Sequence, residues 1–372
     1  MKVAIFHDYL NQYGGAERVL EEILAMFPEA DLYTLLYDKE RTLGKFEGRV
    51  TGTSFLDTDA VRRRHRAFIP LMPLAARQMN VKHDYDLVVS SSAGYAKGFG
   101  APRLATSRGE ASPFHVSYCH SPLRYAWEVD YLKNLPSAPH ALTRTVGSAV
   151  ARRLRAWDRR AADGVNVFMA NSHFIADKIR SYYERGADVV HPPVDPAFYP
   201  ERTAEGNYIL MAGRLLYYKL FGLGIAACRK LGVPLKIVGR GPEESSLRRT
   251  AAGAPVEFLG KVTDDELRSL YSNAKALVFP QIEDFGLVAA EAQSCGTPVV
   301  AYREGGAADI VTDGTTGVLF SYQNAEALGD AVRTALNTRF DRRRIADAAK
   351  KFSKEEFKKK FMDVLTRSGF PL

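Results

Sequence analysis

The residues best placed to do chemistry lie in FPQIEDFGLVAAEAQSCGTPVVAYREGG, residues 279–306. Glu283 and Glu291 stand there with seven residues between them. The pattern predicts a buried strand ending at Phe279, a polar loop with Glu283, Asp284 and Gly286, a helix through Glu291, and a strand over PVVAY closed by Gly305 and Gly306. One acid then sits on a loop at the carboxyl edge of a sheet, the other in the first turns of the next helix. In an open α/β sheet that edge binds ligands, and a helix amino terminus offers N–H groups and a positive dipole end to a phosphate. Two carboxylates there accept hydroxyl hydrogen bonds and repel a second anion, so part of the ligand must present hydroxyls. Phosphates joined to a polyol describe a nucleotide sugar. An ordinary αβ unit with two solvated glutamates is the alternative.

Gly14 and Gly15 precede a helix whose apolar positions Val19, Leu20, Ile23, Leu24 and Phe27 recur at helical spacing. Glycines there let backbone approach a phosphate, or serve only as a helix cap. The dinucleotide fingerprint G-x-G-x-x-G is absent from this position. His120 closes a predicted strand over Val116–Cys119, and a satisfied structural histidine is the alternative to a functional one.

Taken together, Glu283, Phe285, Gly286, Glu291 and the Gly-Thr-Pro-Val that follows resemble the donor-site signature of the retaining nucleotide-sugar glycosyltransferases of family four. HDYLNQYGGAERVLEEI, IPLMP, YDLVVSSS and YCHSPLRYAW narrow the resemblance to the mannosyltransferase-like branch that assembles bacterial O-antigen and exopolysaccharide units. The resemblance covers nearly the whole chain. It implies the α/β GT-B architecture, two Rossmann-like domains facing across a cleft, with domains at 1–192 and 193–350 and a helix over 351–372 crossing back to the first.

The resemblance also implies roles. Glu283 orients the donor sugar's hydroxyls and Glu291 the ribose, while Asp284, Phe285, Gly286 and Leu287 line the donor, with backbone N–H groups near Gly286 and Leu287. Arg214 and Lys219, solvated cations on the bland reading, hold the diphosphate together with Gly14 and Gly15. Two cations there neutralise the charge that grows as the glycosidic bond breaks. His120 lies near the anomeric carbon, Gly239 and Val262 near the base or ribose, and Asp8 and Tyr9 on the acceptor. Leu220–Gly222, LFG, departs from the family's basic, apolar, aspartate sequence, and Asp309 stands where glutamate is common.

The implied reaction is retaining transfer of a hexose, mannose from GDP-mannose, to a lipid-linked saccharide, or transfer from a UDP-sugar. The leaving phosphate takes the acceptor's proton. No cofactor and no metal is expected. A GT-B epimerase or phosphorylase, and a nucleotide-sugar-binding protein without catalysis, are the competing readings.

The chain's 372 residues exceed one usual core and predict two domains. Three widely spaced cysteines, Cys119, Cys228 and Cys295, fit neither a metal knuckle nor a disulfide framework, which suits a reducing cytoplasm. MKVAIFHDYL is expected to be a first strand over Lys2–Phe6 and a loop from His7, not a signal peptide. No apolar run approaches the length of a membrane span.

The net charge of +8 is clustered, with Arg62, Arg63, Arg64 and Arg66 in one block and Arg152, Arg153, Arg155, Arg159 and Arg160 in another. These blocks fit an anionic lipid surface, on the inner face of the plasma membrane, or a solvated face. Phe68, Ile69, Leu71, Met72 and Leu74 beside the first block form an interfacial element or pack on their own domain. Nucleic-acid motifs are absent.

Further strands are predicted over Asp31–Tyr37, Val50–Leu56, Tyr85–Ser90, VNVFMAN, Tyr208–Ala212, Leu235–Val238 and VEFLGKV. The prolines of VVHPPVDPAFYP mark the domain linker. Phe352, Phe357, Phe361 and Leu365 are expected on one apolar stripe of a terminal helical region.

Overall fold

In the computed structural model, residues 1–79, 81, 84–99, 113–128, 140–195 and 206–370 are described. The linker prolines at 196 and 200 lie outside them. The chain divides into two compact units, Met1–Val190 with Lys358–Leu372, and His191–Phe357. The divisions expected from sequence lie at 192/193 and 350/351.

Among the described residues the first unit holds seven strands, β1 (Val3–Leu10), β2 (Asp31–Tyr37), β3 (Val50–Thr53), β4 (Leu87–Ser92), β5 (Phe114–Cys119), β6 (Val167–Ala170) and β7 (Asp188–Val189). Their order is β3-β2-β1-β4-β5-β6-β7, and every described pairing is parallel. A parallel sheet is covered on both faces, which is why VAIF, LVVS and VFMA read as continuous apolar runs. Strand order reverses between β1 and β4, the switch point of a doubly wound sheet.

Two expectations shift here. β1 continues through His7, Asp8 and Tyr9 to Leu10, where the polar residues suggested a loop, and Asp8 is buried at 4% exposure. β4 covers Leu87–Ser92 where Tyr85–Ser90 was expected, so Ser91 and Ser92 are strand residues.

The first basic segment forms short helices, Asp59–Arg64, His65–Leu71 and Met72–Arg77. Ile69 and Met72 enter the core with Phe6 and Tyr33, while Leu71 and Leu74 stay exposed. Arg62 is held by Asp57 at 2.6 Å and Asp59 at 3.0 Å, leaving Arg63, Arg64 and Arg66 exposed. The second block lies on the helix His140–Asp163, where Arg155 and Arg159 stack over Trp127 and Arg152 and Arg153 face solvent.

The second unit holds β8 (Ile209–Ala212), β9 (Leu235–Val238), β10 (Val256–Gly260), β11 (Ala276–Phe279), β12 (Val299–Tyr302) and β13 (Gly317–Phe320). The order is β10-β9-β8-β11-β12-β13, again parallel in every described pairing, with its reversal between β8 and β11. Alternation along β8 sends Leu210 and Ala212 to one apolar cluster and Ile209 and Met211 to the other, one on each face.

The terminal helical region is two helices, Arg342–Ala349 and Lys354–Arg367, joined by a 3₁₀ turn at Lys350–Phe352. Phe352, Phe357, Phe361 and Leu365 are all buried, but they serve two cores. Phe352 packs within the second unit against Phe285. Phe361 meets Phe27, and Phe370 meets Phe114, within the first. Among the described residues no helix is long and apolar enough to cross a membrane.

Candidate active site

In the second unit the switch point is also where the acids and cations gather. Arg214 lies two residues past β8, Lys219 ends a short 3₁₀ turn, and Glu283 lies on the loop after β11. Lys219 Nζ donates to Glu283 Oε1, and Gln281 Nε2 donates to the same oxygen at 3.0 Å. Their side chains are 14% and 19% exposed, so the pair is shielded without being sealed. A diphosphate arriving there would compete with Glu283 for the ammonium, and a sugar hydroxyl would compete with Lys219 for the carboxylate.

Glycines set the loop. Gly286 takes φ +104° as the cap of the helix Leu287–Ser294, and a Cβ on it would lie 2.8 Å from the Phe279 ring. Gly306 donates its N–H to the Glu283 carbonyl at 2.8 Å, and a Cβ there would lie 2.3 Å from Phe285 Cα. Residues 283–285 are thus pressed onto the Gly305–Gly306 backbone. The helix Leu287–Ser294 has no acidic residue in its first turn, and its N–H groups begin bonding at Ala289, which donates to the Gly286 carbonyl at 2.9 Å, so the Leu287 end presents the positive end of the dipole to an anion.

Glu291, on this helix, is 3% exposed and accepts from Tyr271 Oη at 3.2 Å. Gly239 ends β9 at φ +126°, and a Cβ on it would stand 1.9 Å from the Gly213 carbonyl oxygen. Its glycine identity is thus set by the contact between strand ends. Val262 is half-buried against the core of this unit.

In the first unit, a buried polar chain lies at the carboxyl ends of β1, β4 and β5. His7 Nδ1 and His120 Nε2 flank Ser91 Oγ at 3.0 and 2.8 Å. His7 Nε2 lies 3.8 Å from Glu17 Oε1, and Glu17 Oε2 accepts the Gly14 N–H at 2.8 Å. The His120 carbonyl accepts from Asn171 Nδ2 at 2.9 Å. Burial, with His7 adding to it, pushes His120 down to about 3, so its ring is neutral at ordinary pH.

At four of the expected site residues the geometry shows partners within the protein itself. The Asp8 carboxylate, expected on the acceptor, accepts the backbone N–H groups of Ala93, Tyr95 and Ala96, stapling the turn after β4, and burial raises its pKa in spite of those bonds. Tyr9 packs against His65 and Tyr95, with its hydroxyl buried. Phe285, expected to line the donor, is 4% exposed, with its ring tilted against His191 and edge-on to Phe352 in the core of this unit. Gly14 spends its N–H on Glu17, which leaves Gly15 as the glycine of that pair with a helical N–H to offer.

Leu220 takes the left-handed region at φ +54° and caps the helix Phe221–Leu231 without a side-chain bond, at the place where the sequence departs from the family pattern. The structure brings in residues that sequence reasoning missed, namely Glu17, His7, Ser91, Gln281 and Tyr271. Only Glu17 carries a local signal, its spacing of three from the cap of its helix.

Residues 13–198 match the family described as Glycosyltransferase Family 4, and residues 199–352 match Glycosyl transferases group 1. The chain is 31% identical over 209 residues to the sulfoquinovosyl transferase of Arabidopsis thaliana, covering 55% of this chain and 37% of that protein. It is 33% identical over 210 residues to the D-inositol 3-phosphate glycosyltransferase of Pseudarthrobacter chlorophenolicus, covering 48% of this chain and 50% of that protein. These matches thus span half or less of the relatives' own lengths.

Among solved structures, Anabaena HepE in complex with UDP superposes with TM-score 0.70 at 19% identity, covering 99% of this chain and all of that one. Sucrose-phosphate synthase from Thermosynechococcus elongatus gives 0.71 at 19%, covering 99% of both chains. At such identities the likeness is one of fold.

Proposed function

This chain belongs to glycosyltransferase family 4 and has the GT-B fold of two Rossmann-like units, and we propose that it transfers a hexose from a nucleotide sugar to a saccharide acceptor with retention of configuration. The observation that carries this reading is the gathering of Arg214, Lys219, Glu283 and the start of the helix Leu287–Ser294 at the switch point of the second sheet. Cations and a helix amino terminus suit a diphosphate, and a carboxylate beside them suits sugar hydroxyls.

In the proposed reaction the bond from the anomeric carbon to the diphosphate oxygen breaks as the acceptor hydroxyl attacks the same face. The hydroxyl's proton passes to the departing phosphate oxygen. Arg214 and Lys219 balance the charge growing on that phosphate. Glu283 holds the sugar's hydroxyls, Glu291 the ribose, and backbone N–H groups at Gly286 and Leu287 the anionic part. His120 acts on the reacting sugar. The two cations supply the countercharge that a metal supplies in other transferases, so chelator is expected to leave turnover unchanged.

GDP-mannose is the first donor to test, with a lipid-linked acceptor. A UDP-sugar is the second reading, favoured by HepE structures that hold UDP and UDP-glucose in the same fold. The exposed Arg63, Arg64 and Arg66 beside Leu71 and Leu74 suit contact with an anionic lipid surface, where such an acceptor is carried.

The test is a thermal-shift and calorimetric screen of GDP, UDP, ADP and their sugar conjugates. One nucleotide that binds only the folded protein raises its melting temperature by mass action. Incubation with that donor and a saccharide acceptor, followed by NMR of the product's anomeric centre, then reads retention. Absence of stabilisation by every nucleotide at millimolar concentration would remove the donor site as proposed.

A further inference from the structure

The role given above to His120 leaves open whether its ring donates or accepts. We propose that the chain Glu17–His7–Ser91 acts as a positioning relay that keeps His120 in the Nε2–H form, so that Nδ1 is presented as a hydrogen-bond acceptor. The substrate consequence rests on the transfer reading; the protonation pattern does not.

All four side chains are buried, at 2% exposure for Glu17, 3% for His7, none for Ser91 and 8% for His120. Water therefore cannot freely rearrange the chain, and the protons must be arranged among the groups themselves. Glu17 is anchored, because Oε2 accepts the Gly14 N–H while Oε1 faces His7 Nε2 at 3.8 Å. A carboxylate there favours a proton on His7 Nε2, which leaves Nδ1 with its lone pair.

Ser91 Oγ, 3.0 Å from that nitrogen, has one proton and gives it to Nδ1. The serine oxygen is then left with lone pairs only. His120 Nε2, 2.8 Å away on the other side, must carry the hydrogen. The backbone of His120 is fixed as well, its N–H on the Ser92 carbonyl at 2.7 Å and its carbonyl under Asn171 Nδ2 at 2.9 Å.

The consequence is chemical. A bare Nδ1 accepts from a sugar hydroxyl and cannot donate to a phosphate oxygen. His120 would thus read a polyol, while the countercharge for phosphate comes from cations elsewhere in the chain. Glu17, His7 and Ser91 set this polarity without themselves meeting the substrate.

Long-range ¹H–¹⁵N correlation of the histidine rings in the labelled full chain, with His120 assigned by difference from His120→Gln, reads the tautomer without any donor present. The expected wild-type result is Nε2–H. In His7→Phe, Ser91 loses its acceptor and can donate to His120 Nε2, so the major form is expected to invert to Nδ1–H. In Ser91→Ala the preference for one form is expected to be lost. A wild-type Nδ1–H tautomer, or an unchanged tautomer in a folded His7→Phe or Ser91→Ala protein, overturns the relay. The wild-type spectrum decides the matter even if both variants fail to fold. Failure of the nucleotide screen with an Nε2–H His120 would instead overturn the transfer reading alone.

Discussion

Lys219 and Glu283 hold each other, and a diphosphate and a sugar would have to share them out. Glu283→Gln removes the negative partner, keeps an amide that accepts a hydrogen bond and weakens the hold on the ammonium. The pair is 14% and 19% exposed, so it sits between two known limits. Exposed pairs contribute ~0–1 kcal/mol and breaking a buried pair costs ~3–5 kcal/mol, which places this one at about 2 kcal/mol. If a diphosphate must overcome that hold, Glu283→Gln should bind the free nucleoside diphosphate up to ~30-fold more tightly, at ~1.4 kcal/mol per decade. Transfer should fall in the same variant by about 10²–10³-fold, as the charged acceptor for the sugar's hydroxyls is gone. Lys219→Met should lose both binding and transfer. Isothermal titration of the selected nucleotide, with melting curves to confirm folding and product formation to read turnover, separates these outcomes. If Glu283→Gln weakens nucleotide binding as much as Lys219→Met does, the competition described here is wrong.

Two further outcomes follow from buried charge in the first unit. Lys97 Nζ is 2.5 Å from Asp158 Oδ1, both side chains fully enclosed, and Asp158 Oδ2 accepts from Trp127 Nε1 and Tyr183 Oη. Lys97→Met should therefore cost ~3–5 kcal/mol in urea unfolding, with partial recovery in Lys97→Met/Asp158→Asn; strictly additive losses would show that the pair is not coupled. His115 is pushed down to about 4 by burial, although its bond to the Gly164 carbonyl opposes the shift. The unfolded ring titrates near ~6.5, so its share of stability is complete above that pH and is lost at ~1.4 kcal/mol per unit as pH falls toward 4. Melting temperature against pH should slope less steeply over that window in His115→Gln, and parallel curves would remove His115 as a cause of acid lability.

What the sequence disclosed and what it hid follow from how local each signal is. The strands ending at Phe279 and Tyr302, and the helix carrying Glu291, are local patterns of apolar run and punctuation, and they stand where the pattern put them. His7, Asp8 and Tyr9 looked like a loop because they are polar. They are strand because β1 pairs with β2 and β4, and the groups that satisfy the His7 and Asp8 side chains, the Ser91 hydroxyl and the N–H groups of Ala93, Tyr95 and Ala96, arrive more than eighty residues later. No spacing within HDYL could show this. Phe285 was read with its motif neighbours as a donor contact, yet the turn imposed by Gly286 and Gly306 drives its ring inward against Phe352. Burial of Phe352, Phe357, Phe361 and Leu365 was legible from periodicity. That the stripe is divided between two cores was not, since periodicity says that a face is covered and not by what.

That division bears on the order of synthesis. The second unit, His191–Phe357, is an insertion within the first, whose closing segment arrives only with Lys358–Leu372. A nascent chain that has passed residue 357 can complete the inserted body while its predecessor still lacks Phe361, Leu365 and Phe370, with Phe27 and Phe114 awaiting their partners. In this topology the amino-terminal body cannot be the first to have its whole chain, against the usual vectorial order.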